Sequence, residues 1–187
     1  MMKIFVILLM IISINVQAEN DDTLICRQKV INFYNWYSEA INQIIEDVFL
    51  PSFVEDKNGN VTLDFTEYVN NLKRFGFTDK IVNNEINSYK PCINNLQEIT
   101  FKKFKEDFDD ISNYEDIFCD FFNTHRWIKN MESFTGVEIS KSIVNGKECK
   151  LYGRIYEGTE PYKFYYGDVV VTLIKFKDTW MIDEIKI

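Results

Sequence analysis

The spacing of apolar residues changes partway along this chain, at about Ser133. Before that point apolar residues recur every three or four positions, which is the period of an amphipathic helix. After it they alternate with polar residues, as in a strand with one buried face. A chain with helices first and neighbouring strands afterwards folds as α+β, with its helices on one face of the sheet. We therefore predict N-terminal helices packed on a curved, cone-like antiparallel sheet of about four strands.

The first helical stripe runs from about Thr23 to Asp47, and Pro51 ends that segment. Its apolar positions follow steps of three and four: Val30, Tyr34, Tyr37, Ile41, Ile44, Ile45 and Val48. A second helix is predicted after Asp64, because Asp64 and Glu67 have the spacing of a capping box. Gly76 suits the left-handed residue just beyond the end of that helix.

The rest of the first half is predicted to hold two more helices and two less regular stretches. Thr78 starts a helix that continues to about Tyr89, and Pro91 opens the next one. The polar residues 55–62 indicate a turn. Aromatic and acidic residues mix from Phe101 to Trp127, which indicates a loop with a short helix.

Turn residues divide the second half into four strands. Asn145-Gly146 is the strongest short hairpin signal and separates the first two strands. Gly158–Pro161 turns the chain before a long strand from Tyr162 to Phe176, and Lys177-Asp178 forms a tight turn after it. The alternation of the last strand slips by one residue, which predicts a bulge near Asp183.

The N-terminus has the three parts of a secretory signal peptide. A short basic start precedes an apolar run too short for a comfortable membrane span, and small residues at Val16 and Ala18 precede a cleavage site. Residues 1–18 are therefore predicted to be removed, leaving residues 19–187 as a single α+β domain. Glu19 would begin the mature chain, so we expect no lipid-anchored cysteine. We expect the mature protein in the periplasm or secreted from the cell.

The chain is acidic, with 29 Asp and Glu residues against 21 Lys and Arg and a formal net charge of −8. This balance argues against nucleic acid as a partner, because binding phosphate requires clustered Lys and Arg. It argues equally against docking on an anionic membrane surface. If the partner is a protein, complementary charge favours a basic one. No second apolar stretch is long enough to span a bilayer, so the mature chain is not expected to cross one.

The four cysteines all lie in the predicted mature part: Cys26, Cys92, Cys119 and Cys149. In an exported chain an even number of cysteines suggests two disulfides, and four cysteines allow three connectivities. A single bridge with two buried thiols is the alternative. Because no pair has Cys-x-x-Cys spacing, the sequence supports neither a thioredoxin-type redox site nor a zinc knuckle.

The segment Val30–Tyr37, with the sequence Val-Ile-Asn-Phe-Tyr-Asn-Trp-Tyr, resembles the opening of small exported bacterial proteins in a domain family of unknown function. Thr78–Cys92, Cys119–Trp127 and the closing segment Asp178–Ile185 fit the same resemblance. The resemblance implies the nuclear transport factor two-like, or cystatin-like, fold. It implies no activity, because related cones serve as enzymes, binding pockets and inhibitory partners.

The segment Asp56–Glu67 resembles a calcium-binding EF-hand loop. Oxygen-bearing side chains occupy the positions that would coordinate the ion: Asp56, Asn58, Asn60, Thr62, Asp64 and Glu67. Val61 stands where the sharp turn requires glycine, and Pro51 interrupts the helix that should enter the loop. A polar turn followed by a helix cap is the competing interpretation.

The sequence contains no recognisable catalytic constellation and no cofactor motif. His125 is the only histidine, which excludes zinc sites built from several histidines. There is no Gly-x-Ser-x-Gly nucleophile elbow and no Gly-x-Gly-x-x-Gly loop for a dinucleotide. We therefore assign no catalytic residue and expect no cofactor.

Two sequence features suit a protein-binding surface. An acidic run over residues 106–116 supplies four docking candidates: Asp109, Asp110, Glu115 and Asp116. Tyr165, with Tyr152 or Tyr156 from the neighbouring strand, would form an exposed aromatic patch, because tyrosine anchors interfaces well. A solvated loop and ordinary core packing are the competing interpretations.

We expect an exported, non-enzymatic binding protein. The most specific function that we predict for it is that of a periplasmic immunity or inhibitor protein against a toxin. A small-molecule-binding or hydrolase-like pocket in the mouth of the cone is the first alternative, and calcium binding is the second. A cone filled by aromatic side chains would argue against a pocket. A deep cavity lined by carboxylates and tyrosines would favour one.

Overall fold

The helices and two short strands of this protein precede its four long strands. The computed structural model of the chain describes residues 21–108, 111–122 and 124–187, so the predicted signal peptide lies outside the described residues. In chain order the elements are α1 (Asp21–Asn42), α2 (Glu46–Phe49), β1 (Ser52–Glu55), β2 (Val61–Asp64), α3 (Thr66–Arg74), α4 (Asp79–Ser88), α5 (Lys90–Leu96), α6 (Phe101–Asp107), two 3₁₀ helices (Ile111–Ile117 and Asp120–Phe122), β3 (Gly136–Asn145), β4 (Glu148–Glu157), β5 (Phe164–Phe176) and β6 (Thr179–Lys186). The chain is α+β, as the change of period predicts. None of the described helices is both long and apolar enough to cross a bilayer.

Helix α1 places its apolar stripe in the core, but it ends earlier than the sequence predicts. After Asn42 the chain leaves the helix because Ile44 takes a left-handed φ of 56°. The N–H of Ile45 then bonds to the Ala40 carbonyl at 3.0 Å, which is the pattern of a Schellman-type helix end. An isoleucine gives no sequence signal for this stop, since glycine usually fills that position.

A small hairpin, β1–β2, occupies the stretch predicted to be a polar turn. The two strands pair antiparallel, and Asp56 closes the turn between them. Its Oδ1 accepts the backbone N–H of Asn58 at 2.8 Å and that of Asn60 at 2.9 Å. Val61 and Leu63 are buried, so β2 contributes to the core. Strands of four residues contain too little alternation to be recognised from sequence.

Helix α3 begins without the predicted capping box. Its N-cap is Phe65, and the Asp64 carboxylate instead accepts hydrogen bonds from the backbone N–H of Thr66 at 2.8 Å and from its hydroxyl at 2.6 Å. Glu67 accepts a hydrogen bond from within the next turn of the helix. Gly76 follows the helix with a φ of 76°, as predicted for a left-handed C-terminal residue.

The four long strands form one antiparallel sheet in the order β3-β4-β5-β6, so each strand pairs with its neighbour in sequence. The turn between β3 and β4 consists of Gly146 and Lys147, one residue later than the Asn145-Gly146 pair that predicts it. Lys177 and Asp178 form the predicted tight turn between β5 and β6, and both have positive φ.

The predicted bulge near Asp183 is confirmed. The register between β5 and β6 shifts between Thr172 and Leu173, and Asp183 has no partner across the ladder. Its carboxylate accepts hydrogen bonds from the hydroxyl of Thr78 at 2.8 Å and from Lys80 Nζ at 2.6 Å. The backbone N–H of Thr78 also bonds to a carbonyl of β6 at 2.9 Å. The bulge therefore connects the edge of the sheet to the start of α4.

One face of the sheet is buried against α1, and no described helix covers the other. Along β4 the inward residues are fully buried and the residues between them are half-buried or exposed. Aromatic side chains fill the space between α1 and the sheet: Phe33, Tyr34, Tyr37, Phe77, Trp127 and Phe134. The space between α1 and the sheet is thus a packed core.

A disulfide joins α5 to the segment that follows the first 3₁₀ helix. It links Cys92 to Cys119, whereas Cys26 and Cys149 are buried thiols. Of the two predicted bridges, the described residues therefore contain one. The loop with a short helix predicted over Phe101–Trp127 consists of α6 and the two 3₁₀ helices.

Candidate functional site

Tyr152 and Tyr165 lie on the face of the sheet that the helices leave uncovered. Tyr165 pairs with Tyr156 across β4 and β5, and their ring centres are 6.1 Å apart. Tyr152 lies on the same face of β4 as Tyr156, because residues four apart in a strand point the same way. The structure therefore places all three tyrosines on one face, and Tyr156 is the one that directly faces Tyr165.

Charged side chains hold Tyr165 in place. Its hydroxyl donates to Glu138 Oε2 at 2.7 Å, and the Arg154 guanidinium lies 4.0 Å from its ring centre. Lys163 Nζ lies 3.0 Å from the same carboxylate oxygen. The hydrogen bonds from Tyr165 and then from Lys163 keep the pKa of Glu138 below its usual value. Tyr165 is therefore part of a charged network and is less available as an anchor than the sequence suggests.

The β4–β5 hairpin carries more exposed aromatic side chains than the sheet face does. Tyr162 leaves 85% of its surface in solvent and Phe164 leaves 66%. Phe164 stacks on Tyr166 with 6.3 Å between their ring centres. We call these three residues, Tyr162, Phe164 and Tyr166, the hairpin surface. The sequence places Tyr162 and Phe164 in a predicted strand. Aromatic residues of that strand are expected mainly in the core, so the sequence does not single these two out as candidates.

Acidic residues border the hairpin surface. The Tyr166 hydroxyl donates to the Ser133 carbonyl at 3.1 Å. Burial raises the pKa of Tyr166 to about 12, and the nearby charges of Glu157 and Glu132 add to that rise. Glu157 also accepts a hydrogen bond from the Ser133 hydroxyl at 2.7 Å. Glu160, which is exposed, lies in the turn itself.

The predicted acidic run does not join these aromatic residues. Glu115 and Asp116 are exposed on the first 3₁₀ helix, which packs against α5 and the second 3₁₀ helix. Asp109 and Asp110 lie outside the described residues. The predicted docking residues that the structure describes are thus divided between two surfaces.

The candidate calcium ligands are spread along the β1–β2 hairpin and the start of α3: Asp56, Asn58, Asn60, Thr62, Asp64 and Glu67. Strand β1 precedes this loop where an EF-hand has its entering helix, and β2 lies within the loop. Backbone N–H groups of Asn60 and Asn58 keep the pKa of Asp56 below its usual value. In the described part of the chain, no group of three or more His, Cys, Asp or Glu side chains is placed to hold a metal ion.

A buried carboxylate cluster lies between α4 and the segment that follows the 3₁₀ helices. Glu85 is 2% exposed. Its Oε1 accepts hydrogen bonds from the hydroxyls of Tyr68 at 2.9 Å and Tyr89 at 3.3 Å. Its Oε2 lies 2.6 Å from Arg126 Nε. This cluster was not predicted from the sequence. The spacing does indicate that Glu85 is buried, because it stands three residues after Val82 and four before Tyr89, on the buried face of α4.

The charges of Glu85 and Arg126 compensate each other within the cluster. Burial opposes ionisation of Arg126, but the Glu85 carboxylate outweighs that effect and raises the pKa of the guanidinium. Burial and the charge of Glu85 raise the pKa of Tyr68 as well. Tyr68, Tyr89 and Arg126 therefore occupy the oxygens of Glu85, whose carboxylate is held by partners within the fold.

A cleft of about 240 Å³ opens beside Arg126. Its walls combine cations, hydroxyls and aromatic rings with one acid: Ser88, Tyr89, Phe118, Asp120, Phe121, Thr124, Arg126 and Lys129. Burial, and then the charge of Arg126, lowers the pKa of Lys129. Within the described ranges the Lys129 ammonium forms no ion pair. The cleft therefore places the cations of Arg126 and Lys129 beside one acid, Asp120, while the Glu85 carboxylate pairs with Arg126.

Comparisons with known proteins add no family to this description. No protein-family model matches the chain, no curated protein is significantly similar to it, and no solved structure matches it. The resemblance to the nuclear transport factor two-like proteins therefore stays a prediction. The class that the geometry defines is an α+β protein with an aromatic-filled interior and an exposed aromatic hairpin.

Proposed function

We propose that this protein is an exported, non-enzymatic binding protein that docks a basic protein on its hairpin surface. The observation that carries the proposal is the exposure of Tyr162 and Phe164, at 85% and 66% of their surface. Neighbouring large aromatic residues in solvent are typical of binding patches, because a few aromatic anchors supply most of the energy of an interface.

The hairpin holds its aromatic residues in position before a partner arrives. Tyr166 is bonded through its hydroxyl to the loop before β3. The N–H of Gly158 donates to the Thr135 hydroxyl at 3.0 Å, and Lys163 bonds to Glu138 at 3.0 Å. A preorganised surface loses less conformational entropy on binding, so more of its contact energy appears as affinity.

The border of the hairpin surface favours a basic partner. Glu132 and Glu157 lie near Tyr166, and Glu160 lies in the turn, where it pairs with Lys163 at 3.1 Å; the chain as a whole has a net charge of −8. Charges at the rim of an interface mainly speed association and repel partners of like charge. The aromatic residues at its centre mainly slow dissociation.

The packed interior supports binding over catalysis. A pocket enzyme built on a cone needs an interior cavity that encloses its substrate. Aromatic side chains occupy that space here, among them Phe33, Tyr37 and Phe134. The exposed aromatic residues of the hairpin are therefore the larger apolar surface available for recognition.

Neutralisation of a delivered toxin is the specific form of this proposal. An immunity protein requires only a tight, selective surface and no chemistry of its own. Acidic rim residues around aromatic anchors suit a toxin with a basic surface, since complementary charge raises the association rate. The product of the neighbouring gene is therefore the first partner to test.

The experiment is titration calorimetry with that purified neighbouring product. Replacing Tyr162 and Phe164 together, as Tyr162→Ser with Phe164→Ser, should weaken binding at least tenfold, because removing interface anchors costs about 2 kcal/mol or more. Failure of the wild-type chain to bind the neighbouring product would overturn the immunity form of the proposal.

Two control variants make the result specific. Phe176→Ser removes an aromatic side chain that is 58% exposed at the far end of β5, and we expect unchanged affinity. Glu115→Gln with Asp116→Asn removes two charges of the separate acidic run, and we expect the dissociation rate to stay the same. A double hairpin variant that binds as tightly as these controls would overturn the proposed surface.

The cleft beside Arg126 supports a second candidate function, the binding of a small anion. The ammonium of Lys129, which forms no ion pair with another described residue, and the neighbouring guanidinium of Arg126 would both donate to a carboxylate or phosphate. Inorganic phosphate and acetate, each at millimolar concentration, should then raise the melting temperature of the wild type more than that of Lys129→Gln. Equal shifts, or none, would remove this candidate.

A further inference from the structure

Two buried cysteines meet between α1 and the sheet. Cys26 lies in the second turn of α1 and Cys149 lies near the start of β4, and both are fully buried. The two thiols lie close enough for each to influence the ionisation of the other. We propose that Cys26 and Cys149 form a second disulfide, which covalently fastens the first helix to the sheet.

The surrounding contacts already hold the two segments together. Asp22, one turn before Cys26, accepts a hydrogen bond from Trp180 Nε1 at 2.8 Å and pairs with Lys175 Nζ at 2.9 Å. Trp180 and Lys175 belong to β6 and β5, the strands that flank this corner of the sheet. Cys149 itself pairs across the ladder with residues of β3 and β5. The bond would therefore join two segments that are fixed beside each other.

The existing bridge leaves one connectivity for the remaining cysteines. Cys92 is joined to Cys119, so the other two cysteines can pair only with each other within one chain. The loop closed by Cys26 and Cys149 would contain the Cys92–Cys119 bridge entirely. It would also contain every helix from α2 to α6 and the whole of β3.

The reaction is a thiol–disulfide exchange in which a disulfide-bearing oxidant takes up the electrons. A thiolate of the pair attacks the oxidant's disulfide, which forms a mixed disulfide and releases one oxidant thiol. The second cysteine then attacks the mixed disulfide, which forms the Cys26–Cys149 bond and releases the other oxidant thiol. The pair loses two protons and two electrons, and the oxidant gains them. Oxidised glutathione or a dithiol oxidase of an oxidising compartment can serve as this oxidant.

Burial opposes ionisation of both sulfurs, so it acts to raise the pKa of each thiol and neither is a ready nucleophile in the folded chain. Because neither sulfur is exposed, an oxidant must act before α1 packs on the sheet or when the start of α1 opens. The folded dithiol should consequently react slowly, and refolding with oxidised glutathione should close the bond efficiently.

The test is peptide mapping of the whole chain without reduction. The chain is refolded with a mixture of reduced and oxidised glutathione, denatured, treated with iodoacetamide and digested. We expect a linked peptide pair containing Cys26 and Cys149, and an intact mass lower by four hydrogens than that of the reduced chain. Alkylation of both residues in molecules that carry the Cys92–Cys119 link would overturn the proposal.

A second measurement separates this bond from the first one. The variant Cys92→Ala with Cys119→Ala retains only the proposed pair, and its melting temperature should rise on oxidation and fall again on reduction. The variant Cys26→Ala with Cys149→Ala should lack any second linked peptide under the same treatment. If either variant fails to fold, the mapping of the wild-type chain still decides the question.

Discussion

Glu85 carries its charge in a place where an unpaired carboxylate would be unstable, and the half-buried Arg126 balances it. Glu85 is 2% exposed, and Arg126 is its only partner of opposite charge among the ion pairs of the described residues. Removing one member of a buried pair leaves the other desolvated and uncompensated. The stability of the region around α4 therefore depends on this contact more than on any surface ion pair.

This contact gives a prediction at the residue scale. Arg126→Gln should lower the free energy of unfolding by about 3 kcal/mol, because it leaves a buried carboxylate without its counter-charge. The double variant Glu85→Gln with Arg126→Gln should lose less than the sum of the two single losses. Urea denaturation of all four proteins measures this coupling. Additive losses would contradict it, and Lys129→Gln is the matched control for losing a cation nearby.

Ile44 gives a second prediction at this scale. It is 76% exposed and takes a φ of 56°, a conformation that costs a β-branched residue more than it costs glycine. Ile44→Gly should therefore raise the free energy of unfolding by about 1 kcal/mol. Ile45→Gly, at a neighbouring position without positive φ, should lower it. The midpoints of urea unfolding compare the two variants, and a loss of stability in Ile44→Gly would disprove the expectation.

At the scale of elements, the sequence predicts those parts whose signals are local. The period of α1, the left-handed Gly76 and the slip near Asp183 each concern residues within a few positions of one another. The hydrogen bonds of Asp64 and the left-handed Ile44 were missed because several conformations suit those local sequences equally well. The Glu85–Arg126 pair was missed because its members lie on different elements, and only the tertiary fold brings them together.

The bulge at Asp183 gives a prediction at this scale. Asp183→Ala removes the acceptor for Thr78 and Lys80, so the start of α4 should detach more easily from β6. We expect a loss of about 1–2 kcal/mol in the free energy of unfolding and faster hydrogen exchange in α4 than in α1. Glu184→Ala, which changes an exposed neighbour, should have little effect. Equal acceleration of exchange in α1 and α4 would contradict a local role for the bulge.

At the scale of the whole molecule, several carboxylates are more acidic in the folded chain than is usual. Hydrogen bonds from Trp180 and Lys175 keep the pKa of Asp22 low, and Tyr165 and Lys163 do the same for Glu138. A carboxyl whose pKa is depressed by folding adds stability above its unfolded pKa, and this stability is lost as the pH falls through the folded value. Acid should therefore destabilise the fold below about pH 4.

Asp22 provides the test of this dependence. Asp22→Asn removes one depressed carboxyl, so the free energy of unfolding should fall less steeply between about pH 5 and pH 2 than in the wild type. Asp21→Asn, at the adjacent exposed position, should leave the slope unchanged. Chemical denaturation at a series of pH values measures the slopes. Identical slopes for Asp22→Asn and the wild type would show that Asp22 does not contribute.

The packing of α1 on the last strands sets an order of events during folding. The sheet can form as successive hairpins, since each strand pairs with the next one in the chain and such loops close at little entropic cost. Helix α1 is synthesised first, but its apolar face packs on β3, β4 and β6, which are synthesised after all the helices. The nascent chain therefore carries an uncovered apolar segment until synthesis is nearly complete, which is the situation that recruits chaperones.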